Sequence, residues 1–261
     1  MQRNERPIGL FDSGVGGLSV MTEIGKALPN ETFIFLADQL NNPYGAKTKR
    51  ELEDLTEKIT YFLMRQKIKA LVVACNTATC YAIDYLRLNF DIPIVGVVPA
   101  VKPAAGLSKN GKIAIMSTPA TAKSAYLDSL ILDFAKSKKS LKLGCEGLEE
   151  SVEALDKKSW DTLLDKYAKK IKNFGADVVV LGCTHFPFLK SEIKKRLGPK
   201  IRVIDSGQAI ARRVKYLLAK KDELSGKKGK DLFFTTGDPK EFSRVASALL
   251  GYDVSSKKVE I

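Results

Sequence analysis

This chain of 261 residues has little that would staple, anchor or metallate it. No run of eighteen or more apolar residues occurs, which excludes a helix of membrane-spanning length. The opening stretch MQRNERPIGLF enters a strand-like segment too soon for a signal peptide, so a cytoplasmic location is expected. Only four cysteines are present, Cys75, Cys80, Cys145 and Cys183, scattered through a chain long enough to bury its own core, so reduced thiols are expected rather than a disulfide framework. There is no CxxC pair. The single histidine, His185, stands in Cys183-x-His185, a cluster that needs further ligands from distant positions, so no metal is expected. An arginine-rich stripe interleaved with aromatics is also missing. The formal net charge of +13 is spread out, with mild concentrations in KSKKS (Lys136 to Ser140) and KKDELSGKKGK (Lys220 to Lys230). That distribution reads as a solvated basic surface rather than a nucleic-acid site. The glycine-rich DSGVGG lacks both GxGxxG spacing and a following Gly-Lys-Ser/Thr, which argues against a nucleotide. No lysine stands out for a pyridoxal phosphate Schiff base, and no cofactor is expected.

What is present fits a soluble globular protein of one large or two small domains, with 44% apolar and 28% charged residues. Short apolar runs are each followed by a turn cluster and then a segment of helical periodicity. Ile8 to Phe11 leads through DSGVGG to a helix from about Leu18. Phe33 to Ala37 leads through DQLNNPYG to a helix over Lys49 to Arg65, and Leu71 to Ala74 leads to one over Thr77 to Leu88, before a strand at Ile94 to Val98. The pattern then restarts: a strand at Ile113 to Met116, a helix over Thr121 to Ala135, a short strand at Leu141 to Leu143, a helix over Ser159 to Asn173, and strands at Val178 to Leu181 and Arg202 to Ile204. Such alternation predicts an α/β fold of mostly parallel sheets covered on both faces.

The two halves overlay in order. IGLFDSG lies over IAIMSTP, VVACNTA over VVLGCTH and IPIVGVVPA over IRVIDSGQA, at a nearly constant offset, which indicates a duplicated unit. A last pair, Leu232 to Thr235 and a helix over Pro239 to Leu250, has no counterpart and is expected to return to the first sheet. The expected domains are therefore 1–97 plus 207–261, discontinuous, and 98–206 inserted, as two pseudo-symmetric three-layer units with a site in the cleft between them.

In open parallel sheets, ligands gather beyond the carboxyl ends of the strands, and Cys75 and Cys183 both fall there. A helix start after each would offer N–H groups and partial positive charge to a thiolate or a substrate carboxylate. Cys80 and Cys145 read as small buried residues. Around Cys75 and Cys183 stand Asn76, Thr77, Thr184 and His185, with Asp12 and Ser13 at a neighbouring strand end. Two opposed thiols suggest removal of a proton from one face of a carbon and its return on the other, which is racemisation.

Together FDSGVGGLSV, ADQLNNPYGAK, VVACNTAT, GCTHFPFL, IDSGQA and TTGDPKEF resemble, in order and from Ile8 to about Gly251, the cofactor-independent glutamate racemases of the aspartate/glutamate racemase superfamily. The resemblance implies a two-base mechanism without metal or cofactor. Cys75 acts on D-glutamate and Cys183 on L-glutamate, assisted by Asp12 at the first thiol and by His185 with a glutamate at the second. Relatives commonly read Cys-Pro-x-Phe-Val-Pro-Leu-Val-Glu where this chain reads CEGLEESVE, Cys145 to Glu153. The match selects Glu153, with Glu150 as rival, because Glu146, Glu149 and Glu150 loosen the register; the alternative is a solvated acidic loop.

The resemblance also maps substrate contacts to Asp12, Ser13, Pro43, Tyr44, Gly45, Asn76, Thr77, Thr121, Thr184 and His185, supplying backbone amides and hydroxyls to the carboxylates of glutamate. An ordinary turn at NPYG and a helix N-cap at Thr121 are the structural alternatives. A homodimer and a role in supplying D-glutamate for peptidoglycan are what the family further implies, while the short apolar runs and scattered charge argue against a membrane or nucleic-acid partner. In DQLNNPYG many relatives carry Arg or Ala before the turn, a departure expected to alter charge or an interface rather than chemistry. Aspartate or a hydantoin are the rival substrates.

Overall fold

The computed structural model describes residues 4–261. The chain forms two compact units, one running to Val97 and resuming over Gly207–Ile261, the other Val98–Ser206.

The first unit opens with β1 (Ile8–Asp12), α1 (Leu18–Ala27), β2 (Phe33–Ala37), α2 (Lys49–Arg65), β3 (Ala70–Val73), α3 (Asn76–Asn89) and β4 (Ile94–Gly96). β1, β2 and β3 are buried at every residue, as strands covered on both faces must be. α2 begins with a capping box, in which the Thr48 hydroxyl accepts from Glu51 N and Glu51 accepts from Thr48 N. Leu52, Thr56, Ile59 and Leu63 then bury one helical face. DSGVGG is a packing device. A Cβ on Gly17 would lie 2.9 Å from Asp12 Cβ, Ala74 Cβ and Phe35 Cε2, so only glycine lets the start of α1 sit this close to the strand ends.

The second unit comprises α4 (Val101–Leu107), β5 (Lys112–Ser117), α5 (Pro119–Lys123), α6 (Ala125–Ala135), β6 (Lys139–Gly144), α7 (Leu148–Glu153), α8 (Lys157–Phe174), β7 (Val178–Leu181), α9 (Lys190–Leu197) and β8 (Arg202–Ile204). Its core gathers Ile113, Ile115, Val178 and Val180 from the sheet with Val101, Ala104 and Leu127 from helices. The helix expected over Thr121 to Ala135 is two. Ser124 is extended, and its hydroxyl accepts from Leu127 N to cap α6. Thr121 is not an N-cap either; Thr118 caps α5 by accepting from Thr121 N. The chain then re-enters the first unit with α10 (Gly207–Lys220), β9 (Leu232–Thr235), α11 (Pro239–Leu250) and β10 (Ser256–Lys258).

Every strand pairing is parallel. The first sheet runs β10-β9-β2-β1-β3-β4 and the second β6-β5-β7-β8. The second thus repeats the β2-β1-β3-β4 order of the first, the topological form of the sequence duplication. Each sheet reverses direction of winding at its first strand, which places a switch point between β1 and β3 and another between β5 and β7, where ligands of such sheets bind. Among the described residues, no helix is long and apolar enough to cross a membrane.

Candidate active site

At the first switch point, β1 ends on Asp12 and β3 leads into Cys75. Cys75 is the N-cap of α3, and its Sγ accepts from Ala78 N at 3.5 Å, so the helix start addresses the sulfur directly. The thiol is 5% exposed. Asp12 is fully buried, and its Oδ1 accepts from Ser13 N at 2.8 Å. Ser13 Oγ lies 3.4 Å from that oxygen and 3.9 Å from Cys75 Sγ, linking carboxylate to thiol. Asn76 and Thr77 are buried in the first turn of α3. Asn76 Oδ1 has no hydrogen-bond partner among the described residues, a buried acceptor left open in the residue after Cys75.

The NPYG segment is more than an ordinary turn. The Asn42-Pro43 peptide is cis, and Tyr44–Ala46 form a single 3-10 turn. Pro43 and Gly45 are exposed, while the Tyr44 ring is buried and its hydroxyl donates to Asp38 Oδ2 at 2.8 Å. Asp38 also accepts from Asn41 Nδ2 at 2.9 Å and from Thr236 Oγ1 at 2.8 Å, so the end of β9 helps to hold the segment. Burial, then the Asp38 carboxylate and the charges of Cys75 and Asp12, hold the Tyr44 hydroxyl pKa well above its ordinary value; it stays a donor.

The corner after β7 is built differently. Cys183 is followed not by an α-helix but by Thr184 and His185 and then a 3-10 turn over Phe186–Leu189. Its help comes from a side chain: Cys183 Sγ is 3.6 Å from His185 Nδ1, and His185 Nε2 is 2.6 Å from Glu153 Oε1. Glu153 ends α7, which Gly147 starts with φ of 79°, a left-handed turn that favours glycine. Leu148 and Val152 bury one face of α7, while Glu149 and Glu153, one turn apart, share another. The acidic stretch is therefore a short helix rather than a solvated loop, and Glu153 rather than Glu150 meets the imidazole. Thr184 is buried, and so is Thr121 within α5.

Those two corners stand on a chain whose residues 26–214 match the family model of the Asp/Glu/Hydantoin racemases. The chain belongs to the Asp/Glu/hydantoin racemase family. It is 41% identical over 249 residues to a glutamate racemase of Herpetosiphon aurantiacus, covering 94% of this chain and 98% of that protein. Among solved structures it resembles glutamate racemase isoform RacE1 of Bacillus anthracis, with a TM-score of 0.89 and 32% identity over 99% of each chain. The Escherichia coli glutamate racemase, in complex with L-glutamate and the activator UDP-MurNAc-Ala, has a TM-score of 0.85 and 36% identity over 96% of this chain and 97% of that one.

In this racemase-family chain the environment of the second corner sets its protonation. Burial lowers the pKa of His185, but the hydrogen bonds to Cys183 and Glu153 and the charges of Glu149 and Cys183 outweigh it and raise the value well above 6.5. Burial raises the Cys183 thiol, and His185 opposes it. The resting arrangement is a thiol beside an imidazolium that donates to Glu153. Because His185 is the only histidine, its imidazole NMR signals report this directly. They are expected to titrate as one transition with a midpoint well above 6.5, and to move down in Glu153→Gln. The raised folded value means that the pair's contribution to stability is complete below about pH 6.5 and is lost as pH climbs through the folded value. A midpoint at or below 6.5 would show that Cys183 and Glu153 do not stabilise the imidazolium.

Cys145, at the end of β6, is buried with its pKa raised, first by burial and then by Cys183, and its Sγ points to Leu143 O. That suits a packing residue. The residue that sequence reasoning passed over is Glu149, whose carboxylate lies within 4.8 Å of both Cys183 Sγ and His185 Nδ1 or Nε2. Helical spacing between Glu149 and Glu153 was the available signal.

Proposed function

We propose that this protein is a cofactor-independent glutamate racemase of the cytoplasm that supplies D-glutamate for peptidoglycan, with Cys75 and Cys183 as its two acid–base groups. The observation that carries the reading is a buried thiol at the switch point of each sheet, on a chain that aligns over nearly its full length with glutamate racemases.

In the L-to-D direction, Cys183 as thiolate takes the α-proton and the Cys75 thiol returns one to the opposite face of the carbanion. The mechanism requires the two thiols to address opposite faces of one α-carbon. His185, held as imidazolium by Glu153, would stabilise the Cys183 thiolate; the α3 N-terminus would do the same for Cys75, whose proton would pass through the Ser13 hydroxyl to the Asp12 carboxylate. The substrate carboxylates would take the hydroxyls of Ser13, Thr77, Thr121 and Thr184 with the backbone N–H groups of Tyr44 and Gly45, beside which Pro43 would pack, and the open Asn76 Oδ1 suits the substrate ammonium.

The test is a reaction of purified, reduced protein with L-glutamate in deuterium oxide, without added cofactor. Loss of optical activity by circular dichroism, with deuterium appearing at the α-carbon by NMR, is the expected result. Folded protein giving neither signal would overturn the reading. Running aspartate alongside sets the preference, since one methylene is worth about 1–3 kcal/mol in an apolar pocket.

A further inference from the structure

We propose that Cys183, His185 and Glu149 form a binding site for a thiophilic divalent cation, zinc foremost, whose occupation arrests turnover at the second thiol corner. In tetrahedral zinc sites Zn–S is about 2.3 Å and Zn–N about 2.0–2.1 Å, which sets sulfur and nitrogen roughly 3.6 Å apart. Cys183 Sγ and His185 Nδ1 are separated by 3.6 Å. The Glu149 carboxylate completes a set of three donor atoms lying within 4.8 Å of one another. Thiolate, imidazole and carboxylate together match the preferences of zinc and its spectroscopic substitute cobalt, and three protein ligands leave a fourth position for water.

An independent feature points the same way. A metal-ligating histidine almost always gives its second ring N–H to a carboxylate or carbonyl, which fixes the ring and raises its basicity. Here Nε2 is held by Glu153 Oε1 at 2.6 Å, leaving Nδ1 aimed at the sulfur. The side chains that poise Cys183 for proton transfer are thereby also arranged as a first ligand shell with its outer support.

Binding would convert the Cys183 thiol to a metal-bound thiolate and free the Nδ1 lone pair for the cation, releasing the displaced protons to solvent. No electron changes hands. A thiolate whose lone pair is committed to the metal no longer accepts an α-proton, so the arrest follows from the site. That second half rests on the racemase reading; the binding itself does not.

The experiment titrates cobalt(II) into chelator-treated protein kept reduced with a phosphine, following absorbance. One equivalent is expected to produce a near-ultraviolet thiolate-to-cobalt charge-transfer band with visible bands of tetrahedral intensity, all bleached by one equivalent of zinc. Cys183→Ser should lose the charge-transfer band. Glu153→Gln should weaken cobalt binding by about 10–100-fold, the range for removing outer-shell support, and Glu149→Gln should also weaken it while the His185–Glu153 pair remains. Zinc should stop L-glutamate racemisation by wild-type protein, and a chelator should restore it. The absence of a stoichiometric charge-transfer band in reduced wild-type protein, or a band unchanged in Cys183→Ser and Glu149→Gln, would overturn the site. Cobalt binding with turnover untouched by zinc would overturn the arrest. Protein that binds cobalt but never racemises glutamate would count against the proposed activity and leave the metal site standing.

Discussion

Cys75→Ser is expected to abolish racemisation of glutamate while leaving the fold intact. The hydroxyl fits the N-cap position of α3, where serine is a favoured residue, so Ala78 N keeps an acceptor. Chemistry is lost because a serine hydroxyl is far weaker as an acid and base near neutral pH. A positioned acid–base group contributes typically about 10²–10⁴-fold, and racemisation needs both groups in each turnover, so a loss of at least about 10³-fold is expected in both directions. Cys183→Ser should do the same. The variants differ in half-reactions. With a glutamate analogue carrying a leaving group next to the α-carbon, deprotonation alone drives elimination and only one thiol is needed. Cys75→Ser should then still process the L-analogue through Cys183 and lose the D-analogue, and Cys183→Ser the reverse. Racemisation at wild-type rate in either variant would sink the two-base account.

A second large effect is expected far from the thiols. Lys69→Met should destabilise the protein by about 3–5 kcal/mol, the cost of stranding one member of a buried ion pair. Lys69 Nζ lies 2.6 Å from Glu31 Oε2, with side chains 0% and 2% exposed. The same Nζ also reaches Asn4 O at 2.8 Å, Glu223 O at 2.7 Å and Ser225 Oγ at 2.8 Å. Ser225 in turn donates to Glu31 from both its N and its hydroxyl. One ammonium thus ties the start of β3 to the chain before β1 and to the loop before β9. Urea denaturation followed by far-ultraviolet circular dichroism measures the loss. Adding Glu31→Gln to Lys69→Met removes the stranded charge and should recover much of it. A double variant no more stable than Lys69→Met would assign the effect to the lost hydrogen bonds instead.

The parts of the fold that declared themselves in sequence are those whose periodicity and boundaries agree. α2 starts after a capping threonine, α11 after the capping Asp238 with Pro239 as its first residue, and β2, β7 and β9 are short apolar runs with turn residues around them. Several features stayed hidden, α4, α7 and α10 among them, and three others have separate reasons. The break at Ser124 rests on one serine choosing a cap over helix continuity. α9 reads KSEIKKRL, too polar to announce a face, and buries only Ile193 and Leu197. β10 is three polar residues whose strand character comes from pairing with β9.

At the site, the strand-end thiols were legible because their neighbours are polar where the strands are apolar. The motif match selected Glu153 over Glu150, but the nearness of Glu149 to the thiol was not legible, because it depends on which face of a one-and-a-half-turn helix meets an imidazole. The bracing of Tyr44 by Asp38 and Thr236 joins residues that no local pattern connects.

The two thiols are served by unlike means, one by a helix N-terminus and one by an imidazolium–carboxylate pair. For the proposed reaction this inequality has a strict thermodynamic bound. Enantiomers are equal in free energy in an achiral solvent, so the equilibrium constant is one and kcat/KM must be the same for L- and D-glutamate at every pH. Unequal corners can therefore favour neither product. They can only divide that shared kcat/KM differently into turnover and saturation, making one enantiomer the tighter, slower substrate.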